Sequence, residues 1–227
     1  MNLQRIKSLI SKYKVWLSGT DSHENLYILE SIQNFQNHFD LEASDLKEAY
    51  DQALQNTDSR RLWTMEAKFP KDMMMAFADM DADMVRWTFK DLFRHENTLD
   101  GRLNRFIFHC DEMYGVWKKQ NPKAHHLGHY HEHNHWMSTV YLTLQSPDQY
   151  CLYTLNYLQA LLQYVEAKNI PETEDPIRYY KVVKVLDKFI SEDPEIEDLH
   201  QKRLKDEHFK GKSLFLAFEC VLLSLKS

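Results

Sequence analysis

A chain of 227 residues with 43% hydrophobic and 13% aromatic side chains carries enough apolar surface for a sizeable core, which excludes a disordered tail. The formal net charge of −6 excludes a protein that coats nucleic acid by bulk attraction and leaves only a local basic stripe for that role. Three cysteines, Cys110, Cys151 and Cys220, lie far apart in apolar surroundings; they predict buried thiols in a reducing, cytoplasmic setting rather than a disulfide framework or a zinc knuckle.

Apolar residues recur at helical spacing almost throughout, with few glycines and prolines between them. The expected fold is therefore all-α: one compact multi-helix globular domain over 1–227 with about nine helical segments. In the first stretch Arg5, Lys7, Lys12 and Lys14 interrupt the apolar residues, so no signal-peptide core forms. A helix is expected over roughly 80–95, with Val85, Phe89, Leu92 and Phe93 on one face, Asp81 and Asp83 in its first turn, and Arg94 and His95 in its last. "DMDADM" at 79–84 imitates the start of a calcium loop, but Met84 and Lys90 occupy the positions that must turn sharply and chelate; the aspartates read as helix-start charges. Arg86, Lys90 and Arg94 recur every four residues, a basic stripe that could meet phosphates or form a solvated face paired with nearby acids.

"DGRLNRFIFHCDEMYGVWKKQ" is the clearest helix, its core face being Leu103, Phe106, Ile107, Cys110, Met113, Tyr114 and Trp117. Then comes "HHLGHYHEHNHW" at 125–136, with six of the 12 histidines. A helix would pair His131 with His135 and His129 with His133; an extended strand would align all four. Either arrangement makes His131, His133 and His135 candidate ligands for Zn²⁺ or Ni²⁺, whereas the bland alternative keeps only His129 and Tyr130, as packing residues beside the next helix. "WMSTVYLTL" predicts that helix, and Thr154 is placed to cap another over "LNYLQALLQYVEA". Asp148 with Glu166 and Lys168, or Glu66 with Lys68, formally matches fragments of a magnesium-dependent nuclease pattern, but on predicted helix rather than strand. "NIPETEDP" at 169–176 is the candidate subdomain boundary. The closing run "SLFLAFECVLLSL" is too short for a membrane span and contains Glu219, so no membrane partner is expected. Before it, Gly211-Lys212-Ser213 lacks the first glycine of a P-loop, Asp206 standing in its place.

Three blocks, "LYILESIQNFQNHFDLEASDLKEAYDQAL", "KDMMMAFADMDADMVRWTFKDLF" and "HYHEHNHWMSTVYLTLQSPDQYCLY", together resemble the N-terminal region of McrB-type restriction AAA+ proteins, the shared short motif being His129-Tyr130, Tyr141-Leu142, Pro147, Tyr150 and Tyr153. The resemblance implies a non-catalytic recognition or docking module of a restriction or defence system, without its motor. Its partners would be DNA, or an AAA+ motor or nuclease subunit. On that reading Arg86, Lys90 and Arg94 position phosphates, and His129 and Tyr130 contact a base. The alternatives are a metal-dependent hydrolase or nuclease built on the histidine tract, and a pure protein–protein adaptor.

Overall fold

The structure, a computed structural model, describes residues 2–55, 59–63, 70–125, 128–131 and 135–226. Among them every regular element is helical. The α-helices are α1 (Leu3–Leu17), α2 (Tyr27–His38), α3 (Leu46–Ala53), α4 (Pro70–Met80), α5 (Ala82–Phe93), α6 (Leu99–Gln120), α7 (Trp136–Gln145), α8 (Leu155–Tyr164), α9 (Pro176–Ser191), α10 (Pro194–Arg203) and α11 (Phe215–Ser224), with short 3₁₀ turns at Thr20–His23 and Ser59–Leu62. The all-α expectation holds, and the count of about nine falls two short of the eleven described. Neither of the two boundaries missing from that count carries a glycine or proline break, although the one at Asp81 coincides with the expected start of the 80–95 helix, and both are capped by aspartate. Asp45 accepts from the Glu48 amide at 2.9 Å, separating α3 from α2, and Asp81 accepts from the Met84 amide at 2.9 Å, separating α5 from α4. None of these helices is long and apolar enough to cross a membrane.

The chain divides into two units, one formed by Met1–Glu30 with Ser146–Ser227 and the other by Ser31–Gln145. The 169–176 stretch runs inside the first unit, between α8 and α9. In that unit α11 packs on α9, α8 and α1, which follows from its being apolar on every side: Phe215, Ala217, Phe218, Cys220 and Val221 are all buried. Asp175 and Asp193 cap α9 and α10, each helix opening with a proline whose missing N–H would have had no intrahelical partner. Thr154 caps α8 as its sequence predicts, accepting from the Tyr157 amide at 3.1 Å.

In the second unit α5 lies against α6, α4 and α7. Trp87 meets His109, Phe89 meets Phe106, and the Leu92 carbonyl accepts from buried Arg102, so α5 and α6 run antiparallel across a short connection. Phe89 is the centre of this core, touching the rings of Phe39, Tyr50, Phe93, Phe106 and Tyr141; burial of such a ring stabilises by about 1.5–3 kcal/mol.

Candidate functional site

The second unit holds two features that packing alone does not account for, one closed and one open. The closed one begins at His129-Tyr130-His131. Neither conformation anticipated for the tract occurs there: Tyr130 takes a left-handed φ of 63°, and α7 starts only at Trp136. That turn puts both imidazoles on one side, stacked 5.6 Å apart, and both are buried. A backbone so strained in a bulky residue persists only where its surroundings over-determine it.

Hydrogen-bond chemistry settles the tautomers. His131 Nδ1 faces the His129 carbonyl at 2.6 Å, so Nδ1 carries the proton and Nε2 keeps its lone pair. The Tyr141 hydroxyl, 3.2 Å away, donates to that lone pair and in turn accepts from Tyr50 at 2.7 Å. The His131 amide donates to His129 Nδ1 at 3.1 Å, leaving the proton of His129 on Nε2, from which it is donated to Asp111 at 3.0 Å. A continuous chain therefore runs Tyr50, Tyr141, His131, His129, Asp111. Burial, seconded by His129, pushes His131 down to about 3, and the ring is neutral at physiological pH. Buried Cys110 joins the group: one donor atom from each of Cys110, His129 and His131 lies within 4.8 Å of the others.

The proposed ligand set His131, His133 and His135 is only partly described. His131 belongs to the buried cluster, the His135 carbonyl accepts from the Ser138 hydroxyl at 2.9 Å, and His133 lies outside the described residues, as do Glu66 and Lys68. What joins His131 is His129 and Cys110. Because His129 is buried with both ring nitrogens engaged, it presents no edge to an external base; Tyr130 beside it is half-buried.

The basic stripe is spent largely within its own unit. Arg86 donates to the carbonyls of Leu41 and Ala43 at 2.9 and 2.7 Å and meets Asp83 at 2.8 Å, leaving its side chain only 20% exposed. Lys90 pairs with Glu42 at 2.6 Å, and Arg94, exposed, forms the C-cap of α5. Arg105 grips Asp91 through two contacts and thereby holds that carboxyl below its usual range. Of the carboxylates of "DMDADM", Asp81 caps α5 and Asp83 lies in its first turn as read, whereas Asp79 stands at the other kind of helix end, in the last turn of α4, and pairs with Lys47. Glu166, the would-be nuclease acid, binds Asn2 and Arg5 instead.

The open feature is the outer face of α5 and α6. Trp87 and Phe108 are 49% and 56% exposed, and both rings contact His109, whose two ring nitrogens have no hydrogen-bond partner among the described residues. One helical turn away begins a groove of about 300 Å³ lined by Met80, Met84, Met113 and Val116, with Asp81, Glu112 and Gln120 also on its walls. These residues carry a sequence signal. Trp87 lies two positions from core Val85, and Phe108 two from core Phe106, which on a helix places them opposite the buried stripe. No family model, curated protein or solved structure matches the chain.

Proposed function

We propose that the chain is a non-catalytic docking module of a restriction or defence complex, exercising on a protein partner the recognition role implied by its resemblance to McrB-type N-terminal regions. The observation that carries this reading is the α5–α6 face, where Trp87 and Phe108 stand half-exposed beside the groove of Met80, Met84 and Val116. Large aromatics of this kind dominate binding energy at protein interfaces, and long, flexible methionines adapt to a partner's shape. Asp81 and Glu112, both exposed, stand on the walls of the groove and give it a carboxylate rim. Such a rim repels phosphates and favours a partner presenting apolar side chains flanked by lysine or arginine. The engagement of Arg86 with two carbonyls and of Lys90 with Glu42 supports the protein partner over DNA.

The test is photo-cross-linking in the cell, with a reactive amino acid replacing Trp87, Phe108 or, as a control in the other unit, Val15, which is 77% exposed. The expected result is the same defined protein adduct from 87 and 108 and none from 15. Absence of that adduct, or an equal yield from 15, would overturn the reading. A shift of duplex DNA mobility at low salt that disappears in Trp87→Ala would replace it with the nucleic-acid reading.

A further inference from the structure

We infer that Cys110, His129 and His131 form a buried zinc site. The three donors are of the types zinc prefers, a thiolate and two imidazoles, and they come from two separate segments, the middle of α6 and the turn preceding α7. Tetrahedral zinc, with Zn–S of about 2.3 Å and Zn–N of about 2.0–2.1 Å, needs donor separations of roughly 3.3–3.6 Å. One donor atom of each residue already lies within 4.8 Å of the others, so the set closes to that spacing with a contraction of at most about 1.2–1.5 Å.

The surroundings are those of a metal site's outer layer. Metal-bound histidines typically give their second ring N–H to a carboxylate or a backbone carbonyl, which fixes ring orientation and raises basicity. Both partners are present: His129 Nε2 donates to Asp111, and His131 Nδ1 donates to the His129 carbonyl. The nitrogens left unprotonated are His129 Nδ1 and His131 Nε2, the atoms that would ligate. Their present contacts, at 3.1 and 3.2 Å, are the longest in the chain of hydrogen bonds, and metal binding substitutes for them. The left-handed backbone at Tyr130 brings two histidines only two positions apart to the same side, as a shared ligand requires. On binding, the Cys110 S–H bond breaks, its proton leaves to solvent, and the sulfur pair forms the Zn–S bond. The Tyr141 hydroxyl, now 3.2 Å from His131 Nε2, would be released from it, and that hydroxyl or a water would complete the set.

This differs from a surface histidine tract that collects metal in a test tube, and the experiment separates the two. The full chain is purified without a metal-affinity step and its zinc measured by mass spectrometry; cobalt then replaces zinc for spectroscopy. About one zinc per chain is expected, together with tetrahedral d–d bands and a thiolate-to-cobalt charge-transfer band. Cys110→Ser should lose the charge-transfer band. Asp111→Asn, a change at an exposed side chain whose folding is checked by circular dichroism, should weaken zinc binding about 10–100-fold. A His125→Ala/His133→Ala/His135→Ala variant should keep both zinc and spectrum. Failure of the wild-type chain to retain or take up zinc overturns the site, and so does a cobalt spectrum that lacks the charge-transfer band or that survives in Cys110→Ser.

Discussion

The two units solve the problem of buried polarity in opposite ways. In the first, Glu219 lies in the middle of apolar α11 as a carboxylate gripped by both terminal nitrogens of Arg203, with Tyr13 donating to it at 2.8 Å and Asn25 at 3.4 Å. Arg203 also donates to the Ser22 carbonyl and to His200. In the second, Tyr50, Tyr141 and His131 pass neutral hydrogen bonds along a line that reaches a charge only at exposed Asp111. A buried ion pair holds two charges out of water and depends on both partners, whereas a neutral chain can lose one member at the expense of one or two unmade hydrogen bonds. The first arrangement locks helices together. The second sets two hydrogen-bonded neutral imidazoles beside buried Cys110.

The largest effect should therefore follow from halving the ion pair. Glu219→Gln leaves Arg203 charged and buried, and chemical denaturation should show a loss of about 3–5 kcal/mol, with hydrogen exchange locating it in α11. Replacing both partners, as Arg203→Met/Glu219→Leu, should recover most of that loss; if the double variant is as unstable as the single one, the charges are not the reason.

Acid comes next. Burial, then Arg203, pushes His200 down to about 3, so the folded ring resists a proton that the unfolded one accepts near pH 6.5. The unfolded state binds more protons between those values, and stability falls as pH is lowered through them, by roughly 2–3 kcal/mol at about pH 4.5. His200→Gln should flatten that part of the stability curve in the first unit, and an unchanged slope would remove His200 as its source.

Removing one hydroxyl from the neutral chain should do less. Tyr141→Phe takes the donor from His131 and the acceptor from Tyr50, for about 1–3 kcal/mol by denaturation, and Tyr50→Phe should cost less because Tyr141 still donates to His131. If Tyr50→Phe were the more damaging of the two, the assigned direction of the chain would be wrong. At the bottom of the scale, Lys90→Ala breaks only an exposed pair with Glu42, and no shift of the denaturation midpoint is expected.

Legibility in the sequence followed how local each signal was. The long helix α6, the Asp81 start of α5 and the Thr154 cap are set by residues within a few positions of one another, and the local pattern predicts each of them. Glu219 could be seen as a lone acid in an apolar run, but its partner Arg203 sits 16 residues away on another helix and carries no local mark. The histidine tract is conspicuous in sequence by density alone, yet the cluster that forms uses two of its members with Cys110 and Tyr141, assembled by a left-handed turn that no periodicity encodes. Arg86 looked like one charge in a repeating stripe; only the fold shows it holding the carbonyls of Leu41 and Ala43. Trp87 and Phe108 were readable as aromatics off the buried face, a signal overshadowed by the histidines.

Docking at the α5–α6 face is tested most directly by separating binding from folding on one variant. With a photo-reactive residue in place of Val116, which lines the groove and is 47% exposed, the yield of partner adduct is compared between the wild-type face and Trp87→Ala/Phe108→Ala. The α5–α6 account predicts an unchanged helical circular dichroism spectrum with loss of the adduct. A variant that keeps its fold and cross-links at the wild-type yield would contradict it.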